Sequence, residues 1–408
     1  MDYLEDEMMQ KTPRGLRVQI GIFGRRNSGK STFLNAVAGQ DISVVSDVAG
    51  TTTDPVEKAM EMLPLGPVLF IDTAGIDDVG ALGDKRVEKT RKIFDRTDVA
   101  VIVSDSRSWD SFEVSLITEF RERKVPLLVV LNKVDLGAPS CKVVDYLKRE
   151  KLPYIEVSAL YGDGVFAFRD RLVELLPQSF FEPATIVGDL IAPGDMVVLV
   201  VPIDLEAPRG RLIMPQVQTI RDILDNDAYC TVVKERELRD ALANMQKKPA
   251  LVITDSQAFL KVAADTPEDI PLTSFSILFS RYKGDLDTFV DGAQVIDELE
   301  PGDRVLIAEA CTHHRICEDI GQTKIPRWLT QYVGGKLEFD FTQGHDFPDD
   351  ISPYRLIIHC GSCTFNPRML MSRILRCKRE GIPITNYGMA ISYSLGIFDR
   401  ALSPFGLS

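Results

Sequence analysis

Short, mostly apolar runs alternate along this chain with segments in which apolar residues recur every three or four positions. In the first third, the runs at 18–23, 69–71 and 127–131 have the length of buried strands, and 165–176 carries apolar side chains at helical spacing. Strands that alternate with helices predict an α/β fold with a mainly parallel sheet.

The same alternation continues through the rest of the chain. Strands are predicted at 196–201, 229–233, 250–254, 304–308 and 354–358, and helices at 216–224, 235–245 and 256–263. Proline-containing breaks at 177–183 and 265–271 separate these regions. We therefore predict three α/β domains at 1–178, 184–265 and 270–408, of which the second and third are smaller and have mainly parallel sheets.

A short echo links the last two regions. Residues 191–198, IAPGDMVV, resemble 299–306, LEPGDRVL, and each places a turn before a strand. Turn chemistry alone yields the sequence Pro-Gly-Asp, so we do not interpret the echo as a repeat.

The chain has 408 residues and a formal net charge of −13. At roughly 150 residues per domain, this length fits two to three domains. The acidic balance disfavours nucleic-acid or anionic-membrane partners, which attract positive surfaces. No apolar run approaches the roughly 20 residues of a membrane-spanning helix, and the acidic start, MDYLEDEMMQ, lacks a signal-peptide pattern. We expect a cytoplasmic protein whose seven cysteines are thiols or metal ligands.

A phosphate-binding motif follows the first predicted strand. Residues 24–31, GRRNSGKS, fit the pattern G-x-x-x-x-G-K-S. Its glycines let backbone N–H groups surround phosphate oxygens, and the helix from Thr32 onward directs its positive end at them. Lys30 is expected to reach the β- and γ-phosphates, and Ser31 to bind Mg²⁺. The remaining loop residues of the predicted site are Asn27, Ser28 and Gly29.

Three further motifs follow predicted strands in the order that a guanine-nucleotide site requires. Asp72 ends a strand and suits the magnesium shell, while Gly75 can turn toward the γ-phosphate. In Asn132-Lys133-Val134-Asp135, the aspartate can accept two hydrogen bonds from guanine N1 and N2, a donor pair that adenine lacks. Ser158 and Ala159 lie in the loop that closes over the base. The N-terminal domain is therefore predicted to have a P-loop GTPase fold.

These motifs resemble those of the translation-factor-related GTPases of the Era and MnmE type. In that group, residues 50–54, GTTTD, correspond to switch I, and Thr52, or alternatively Thr51, to the threonine that binds Mg²⁺. Asn27 stands where potassium-stimulated members carry an asparagine that helps to coordinate K⁺; alternatively, it caps the loop. The resemblance implies Mg²⁺-dependent GTP hydrolysis stimulated by K⁺. The catalytic set that it implies is Lys30, Thr52, Asp72 and Gly75.

The residue after the Asp72–Gly75 motif departs from Ras-like enzymes. It is Ile76, where those enzymes place the glutamine that orients the attacking water. An aliphatic side chain cannot orient water, so a cation, a partner or one of the acidic residues Asp77, Asp78 and Asp84 must do so. We expect slow turnover.

Cysteines and histidines follow two predicted strands of the C-terminal third. Cys311, His313 and His314 come after the strand at 304–308, and HCGSC at 359–363 follows the strand at 354–358. Because ligand-binding groups gather at the carboxyl ends of parallel strands, both segments can reach a single point. Thiolates beside imidazoles suit zinc or an iron–sulfur cluster.

Three interpretations of this set remain open from the residues alone. Residues 366–367, Asn-Pro, predict a helix that starts just after Cys363, and its positive end is expected to lower the thiol pKa. Cys360 and Cys363 can form a thioredoxin-like redox pair. A structural zinc can bind Cys311, His313 and the same two cysteines. An iron–sulfur cluster can take three thiolates and a weak fourth ligand.

The pattern C-x-H followed by H-C-x-x-C, downstream of an Era-like GTPase, resembles the FeFe-hydrogenase maturation GTPases of the HydF family. The resemblance spans all three regions of the chain. Members combine a GTPase domain, a dimerisation domain and a domain that carries a 4Fe–4S cluster. By this resemblance, the thiolate ligands are Cys311, Cys360 and Cys363. The candidates for the fourth ligand are His313, His314 and His359, beside water or an exchangeable group.

The function that this resemblance implies is a GTPase scaffold for hydrogenase maturation. The chain would act as a homodimer, receive a transient di-iron precursor bearing CO and cyanide, and deliver it to apo FeFe-hydrogenase. Radical-SAM maturases would make those ligands as partners, since this chain has no C-x-x-x-C-x-x-C signature. Alternatives are an Era- or MnmE-like GTPase in RNA modification or ribosome assembly, and a zinc-stabilised GTP-dependent adaptor.

Overall fold

The computed structural model describes two compact units, one within 1–183 and one within 184–408. The described residues are 15, 17–39, 44–48, 56–62, 65–73, 92–176, 185–202, 212–310 and 320–407. Within these ranges, no helix combines the length and the apolar character needed to cross a bilayer.

The N-terminal unit is built on a seven-stranded sheet. Its strands are β1 Val18–Phe23, β2 Val44–Val48, β3 Val56–Met62, β4 Gly66–Asp72, β5 Val99–Asp105, β6 Leu127–Asn132 and β7 Tyr154–Glu156, and its helices include α1 Lys30–Ala38, α2 Ser111–Glu122, α3 Cys141–Arg149 and α4 Phe166–Leu175. The order is β2-β3-β4-β1-β5-β6-β7, with antiparallel pairing only of β3 with β2 and β4. The predicted α/β fold is confirmed, and β1 has the predicted bounds.

Both faces of this sheet are buried. Ile22 and Phe168 belong to the apolar core on one face, and Phe23 and Phe120 belong to the core on the other. Successive side chains of a strand point to opposite faces, so a central strand such as β5 must be apolar throughout, and its residues 99–103 are all fully buried. For this reason the sequence shows continuous apolar runs here instead of alternation.

The C-terminal unit contains two four-stranded parallel sheets. The first has β8 Met196–Val200, β9 Tyr229–Val233, β10 Leu251–Thr254 and β11 Leu272–Ser274; the second has β12 Arg304–Ala308, β13 Glu338–Thr342, β14 Leu356–His359 and β15 Ile384–Asn386. Its helices include α5 Met214–Asp225, α6 Leu238–Asn244, α7 Phe259–Asp265, α8 Phe275–Lys283, α9 Leu286–Gln294, α10 Ile325–Val333, α11 Pro367–Glu380, α12 Tyr387–Ser394 and α13 Phe398–Leu402. Mainly parallel sheets are confirmed, and β9 and β12 have the predicted bounds.

The two sheets share one connectivity. Their orders are β11-β10-β8-β9 and β13-β12-β14-β15, so the first strand of each lies between the second and the third. The turns before the first strands also match: Asp195 accepts a hydrogen bond from the Ala192 N–H at 2.9 Å, and Asp303 accepts one from the Glu300 N–H at 2.8 Å. The Pro-Gly-Asp echo is therefore part of a structural repeat, and our interpretation of it as turn chemistry alone is wrong.

The match extends to the fourth strand of each sheet. Ser274 ends β11 and Asn386 ends β15, and each side chain accepts a hydrogen bond from the backbone N–H three residues further on, which caps α8 and α12 respectively. In both halves of the unit, the fourth strand is followed by a capping residue and then a helix. The capping residues differ, serine in one half and asparagine in the other, so the repeat is not evident from a single sequence.

One hydrophobic core joins the two sheets. It includes Val198 and Val252 of the first sheet and Leu306 and Ile357 of the second. Strand β11 pairs with β10 and extends the first sheet beyond residue 265, which is the predicted end of the middle domain. The stretch 265–271 has the prolines and acidic residues of a linker, but it is the turn that leads into this edge strand.

Candidate functional site

The phosphate-binding loop connects β1 to α1 and depends on two glycines. Gly24 has a φ of +146° and Gly29 a φ of +91°, values that side chains rarely allow. A Cβ atom on Gly29 would collide with the side-chain amide of Asn132, and one on Gly24 with the Val103 carbonyl oxygen. Asn27 also has a positive φ, and its side chain is exposed, like that of Thr32 on the first turn of α1.

The structure brings the predicted magnesium ligands together. The Ser31 hydroxyl donates to Asp72 Oδ2 at 2.7 Å. Among the described residues, Asp72 Oδ1 and Ser28 Oγ are buried side-chain oxygens with no hydrogen-bond partner. An orphaned buried carboxylate oxygen beside a serine hydroxyl fits a magnesium ion with its bound water. Lys30 Nζ meanwhile donates to the Gly24 and Arg25 carbonyl oxygens, each at 2.7 Å.

The base-binding motifs also meet. Asn132 accepts a hydrogen bond from the Ala159 N–H at 3.0 Å and donates to the Ser28 carbonyl oxygen at 3.0 Å, so it ties the closing loop to the phosphate loop. Ser158 Oγ donates to Asp135 Oδ1 at 2.6 Å, which orients the carboxylate predicted to recognise guanine. The spacing predicted from the sequence is thus realised as one connected network.

Lys133 is held by a residue that the sequence analysis did not select. Its Nζ donates to the Asn27 carbonyl oxygen at 2.6 Å and to Asp105 Oδ2 at 3.2 Å. Hydrogen bonds from Arg107, together with Lys133, lower the pKa of Asp105 to about 2 despite partial burial. Asp105 ends β5 opposite Asn132, and a carboxylate at a strand end is the signal that marks it.

Arg25, at a variable position of the motif, anchors the phosphate loop to the start of α2. Its guanidinium donates to Glu113 at 2.9 Å and pairs with Asp110, and Glu113 is fully buried. Asp110 and Glu113 also form the capping box of α2. The variable positions of the motif therefore include a structural arginine, which the pattern G-x-x-x-x-G-K-S does not specify.

Several predicted site residues lie outside the described residues. These are Thr52 and Gly75 of the nucleotide site and Cys311, His313 and His314 of the metal site. The proposals for them below rest on the sequence.

The described part of the metal site is the loop 359–363 between β14 and α11. Cys360 Sγ accepts a hydrogen bond from the Ala310 N–H at 3.0 Å. Ala310 directly precedes Cys311 in the chain. The carboxyl ends of β12 and β14 lie side by side, with Ala308 opposite His359. This agrees with the prediction that the segments after these two parallel strands start at one edge of the sheet.

Of the three histidines predicted as candidate fourth ligands, the structure describes His359. It is the last residue of β14 and fully buried. Arg373 Nη1 lies 2.9 Å from its Nε2, and the Cys360 carbonyl oxygen and Ser362 Oγ lie 3.0 and 3.1 Å from its Nδ1. Burial and the Arg373 charge lower the pKa of His359 to about 3, so the ring is neutral. Both ring nitrogens of His359 thus have partners within 3.1 Å, and its role as a candidate fourth ligand stays a prediction.

The predicted helix start after Cys363 is confirmed, but its expected effect on the thiol is not. Asn366 caps α11, accepting from the Met369 N–H at 3.2 Å, and Pro367 is the first helical residue. Burial nevertheless raises the pKa of Cys360 to about 11 and that of Cys363 above its ordinary value. Desolvation of the thiolate form is the main cause of both raised pKa values, and a metal ion would supply the positive charge that favours thiolates.

Two buried cations beside this loop were not found from the sequence. Lys283 is 2% exposed and Arg373 5% exposed. Lys283 Nζ donates to the carbonyl oxygens of Ser362 and Phe365 at 2.9 and 3.0 Å, and the Arg373 guanidinium stacks 4.6 Å from the Phe365 ring centroid. A lysine or arginine on an amphipathic helix ordinarily indicates a solvated face, so no local signal marks either residue.

The donor set fits a thiolate-bound metal in part. In the described portion of the chain, no group of three or more ligand-type side chains converges. Cys360 and Cys363 interact electrostatically, and the Lys283 ammonium interacts with both. Two half-buried thiols that interact electrostatically, a nearby positive charge and an N–H···S hydrogen bond suit an iron–sulfur cluster, with the third thiolate left to Cys311.

Three family models match the chain in succession. Residues 19–133 match the family described as 50S ribosome-binding GTPase. Residues 186–284 match the hydrogen maturase F dimerization domain, and residues 287–404 match the hydrogen maturase F tetramerization domain. The two C-terminal matches meet between α8 and α9, where the two sheets of the structural repeat also divide.

Curated relatives match the N-terminal part. The tRNA modification GTPase MnmE of Chromobacterium violaceum is 34% identical over 163 residues, 40% of this chain and 35% of that protein. GTPase Der of Wolinella succinogenes is 35% identical over 184 residues, 42% of this chain and 38% of that protein. The chain thus spans less than two fifths of the length of these relatives.

A solved structure also aligns with part of the chain. Era of Aquifex aeolicus bound to GDP and AlF4⁻ aligns with 55% of this chain and 97% of its own, at 21% identity and a TM-score of 0.34.

Proposed function

Because the chain belongs to the hydrogen maturase F family, we propose that it is a GTPase that acts as an iron–sulfur scaffold in the maturation of FeFe-hydrogenase. The observation that carries the proposal is a half-buried Cys360–Cys363 loop, with a buried lysine ammonium against its backbone, on a chain that also carries a connected guanine-nucleotide site.

The nucleotide site supports binding and hydrolysis of GTP. Lys30 is available to exchange the carbonyl oxygens of its own loop for β- and γ-phosphate oxygens. Ser31 and Asp72 would hold Mg²⁺, which neutralises phosphate charge when bound. Asp135, oriented by Ser158, would accept the guanine N–H groups. Thr52 and Gly75 are proposed on their sequence positions to complete the site.

Potassium stimulation is proposed on Asn27. Its exposed side chain lies on the phosphate loop while its backbone is fixed by Lys133. An amide oxygen in this position can coordinate a monovalent cation next to the phosphates. Such a cation would take the place of the glutamine that Ile76 replaces.

The proposed cluster is a 4Fe–4S centre bound by Cys311, Cys360 and Cys363. Since His359 is engaged on both ring nitrogens, the fourth position falls to His313, His314 or an exchangeable ligand. An exchangeable position suits a scaffold that receives a di-iron precursor with CO and cyanide ligands. Its donors would be radical-SAM maturases and its acceptor apo FeFe-hydrogenase, both in the cytoplasm.

The chain is proposed to work as an oligomer, at least a homodimer. The matched family domains are described by dimerization and tetramerization. The state of the nucleotide would then bias contact with partners through the segments that the γ-phosphate and Mg²⁺ order.

Anaerobic reconstitution with iron and sulfide, followed by EPR and by iron, zinc and sulfide analysis, tests the proposal. We expect about four iron and four sulfide per chain and a reduced-cluster EPR signal. Lys30→Ala should lower GTP turnover about 10²- to 10³-fold, because a charge aimed at the phosphates is lost, and should keep the iron. Cys363→Ser should lose the cluster and keep GTP turnover.

Exposed residues of the N-terminal unit provide matched controls. Lys142→Ala and Cys141→Ser should leave both turnover and iron at wild-type values, because both side chains lie in solvent on α3. Zinc without sulfide would instead support a zinc-stabilised adaptor. A salt-sensitive shift of RNA without any cluster would support a role in RNA modification or ribosome assembly.

A further inference from the structure

A lysine ammonium is buried against the metal loop. Lys283 is the last residue of α8 and is 2% exposed. Its Nζ donates to the carbonyl oxygens of Ser362, Phe365 and Cys363 at 2.9, 3.0 and 3.2 Å. An ammonium has three N–H donors, and here all of them are directed at one short stretch of backbone.

The charge of this ammonium is as unusual as its position. A buried lysine is costly unless it is paired, and the acceptors of its hydrogen bonds are neutral carbonyl oxygens. Burial lowers the pKa of Lys283 to about 8, while the nearby thiols of Cys363 and Cys360 act in the opposite direction. Thiolates that bind a metal would place negative charge next to this cation.

Lys283 comes from the other half of the structural repeat. It falls within residues 186–284, which match the dimerization domain, whereas the metal loop falls within 287–404. Helix α8 is fixed to the second sheet nearby: Ser276 Oγ accepts from the Gly388 N–H, and the Ser276 carbonyl oxygen accepts from Asn386 Nδ2, both at 3.2 Å. The ammonium is therefore held in place by rigid elements of both sheets.

We propose that Lys283 is a positioning residue of the cluster site, which fixes the backbone of 362–365 and raises the reduction potential of a cluster held by Cys360 and Cys363. The inference rests on the proposed function, since it assigns the lysine a role toward that cluster. A purely structural role predicts the same hydrogen bonds but no effect on the potential.

The direction of the effect follows from electrostatics. One-electron reduction makes the cluster and its thiolates more negative, and a nearby positive charge in a low-dielectric interior stabilises that form. Removal of the charge should therefore shift the midpoint potential to more negative values. Release of the loop should also speed the loss of iron.

Three variants of the full-length chain separate charge from hydrogen bonding. Lys283→Met removes both, whereas Lys283→Gln keeps amide donors without the charge. Lys378→Met is the matched control, because it removes an equal charge from a half-exposed lysine on α11 that pairs with Asp285. Each protein is reconstituted anaerobically with iron and sulfide and then titrated with dithionite under EPR.

Both Lys283 variants should have a more negative midpoint potential than wild type and Lys378→Met. Lys283→Met should lose iron to a chelator about 10- to 100-fold faster, as for other groups that support metal ligands, and Lys283→Gln should be intermediate. GTP turnover should stay at the wild-type value in all three.

Wild-type potential, g-values and iron release in Lys283→Met would overturn the inference while leaving the proposed function intact. If Lys283→Met does not fold, an unchanged potential in Lys283→Gln overturns it equally. Absence of any cluster signal from the wild-type protein would overturn the proposed function itself, and the role of Lys283 with it.

Discussion

At the scale of single residues, burial and partners decide what a side chain can do at the metal loop. An imidazole next to a cysteine is a common metal ligand. His359 is nevertheless fully buried and receives Arg373 Nη1 at its Nε2. Turning the ring toward a metal would remove this hydrogen bond from a buried guanidinium, and a hydrogen bond to a charged group contributes about 1.5–3 kcal/mol. Arg373 and His359 therefore hold each other in place beside the metal loop.

Arg373→Met is expected to destabilise the metal-free protein. The substitution removes hydrogen bonds to His359 and to the Gly344 carbonyl oxygen in a buried setting. Unsatisfied buried acceptors cost about 1–3 kcal/mol each, so the free energy of unfolding of the C-terminal unit should fall by about 2–6 kcal/mol. Denaturant unfolding followed by circular dichroism measures this change.

Arg379→Met on the same helix is the matched control. Its side chain is exposed, so the free energy of unfolding should change by no more than about 0.5 kcal/mol. Equal stability of the two variants would mean that the buried network around His359 contributes nothing to the fold.

At the scale of elements, the phosphate loop is shaped by its contact with the end of β6. Gly29 has a positive φ and faces the Asn132 amide, which is itself bonded to both the phosphate loop and the closing loop. Any side chain at this position has to displace Asn132. The loop between β1 and α1 and the base-binding loops therefore form one rigid arrangement.

Gly29→Ala should lower GTP turnover about 10²-fold, since small displacements of positioning groups have effects of this size. The matched control is Gly66→Ala, at the first residue of β4. Gly66 also has a positive φ, but its Cβ would meet only Glu61 Oε1 at 3.7 Å. Gly66→Ala should lower the free energy of unfolding by about 1 kcal/mol and leave GTP turnover unchanged. An equal fall in turnover in both variants would show that backbone strain, and not the collision with Asn132, decides activity.

At the scale of the whole molecule, two compact units carry separate hydrophobic cores. Chains of this kind do not unfold in a single two-state transition. Ligands that bind one unit should then stabilise that unit alone.

Calorimetry of the reconstituted protein should show two transitions. Mg²⁺ and GDP at 100 times the dissociation constant stabilise their unit by about 2.7 kcal/mol, which raises its Tm by about 5–10 °C for a unit of this size. Removal of iron with a chelator should lower only the other Tm. A single transition that moves with both ligands would contradict separate units.

Much of the nucleotide site follows from the sequence, because its motifs are local. Residues 24–31, Asp72 and the segment 132–135 each follow a strand, and parallel strands deliver their ends to one edge whatever the rest of the fold does. The bounds of β1, β9 and β12 also follow from the sequence, because the pattern of apolar residues is local. The pairing of Ser31 with Asp72 could therefore be predicted from spacing and strand order.

Tertiary structure decided the features that depend on residues far apart in the chain. Lys283 and Ser362 are 79 positions apart, and no local pattern relates them. The roles of His359 and the raised pKa of Cys360 are set by burial, which depends on both sheets packing into a shared core. The sequence by itself determined which chemical groups the two sites contain, because spacing and strand order are local properties. Only the folded chain determined which of those groups are free to bind, because burial and distant partners set their charge and their hydrogen bonds.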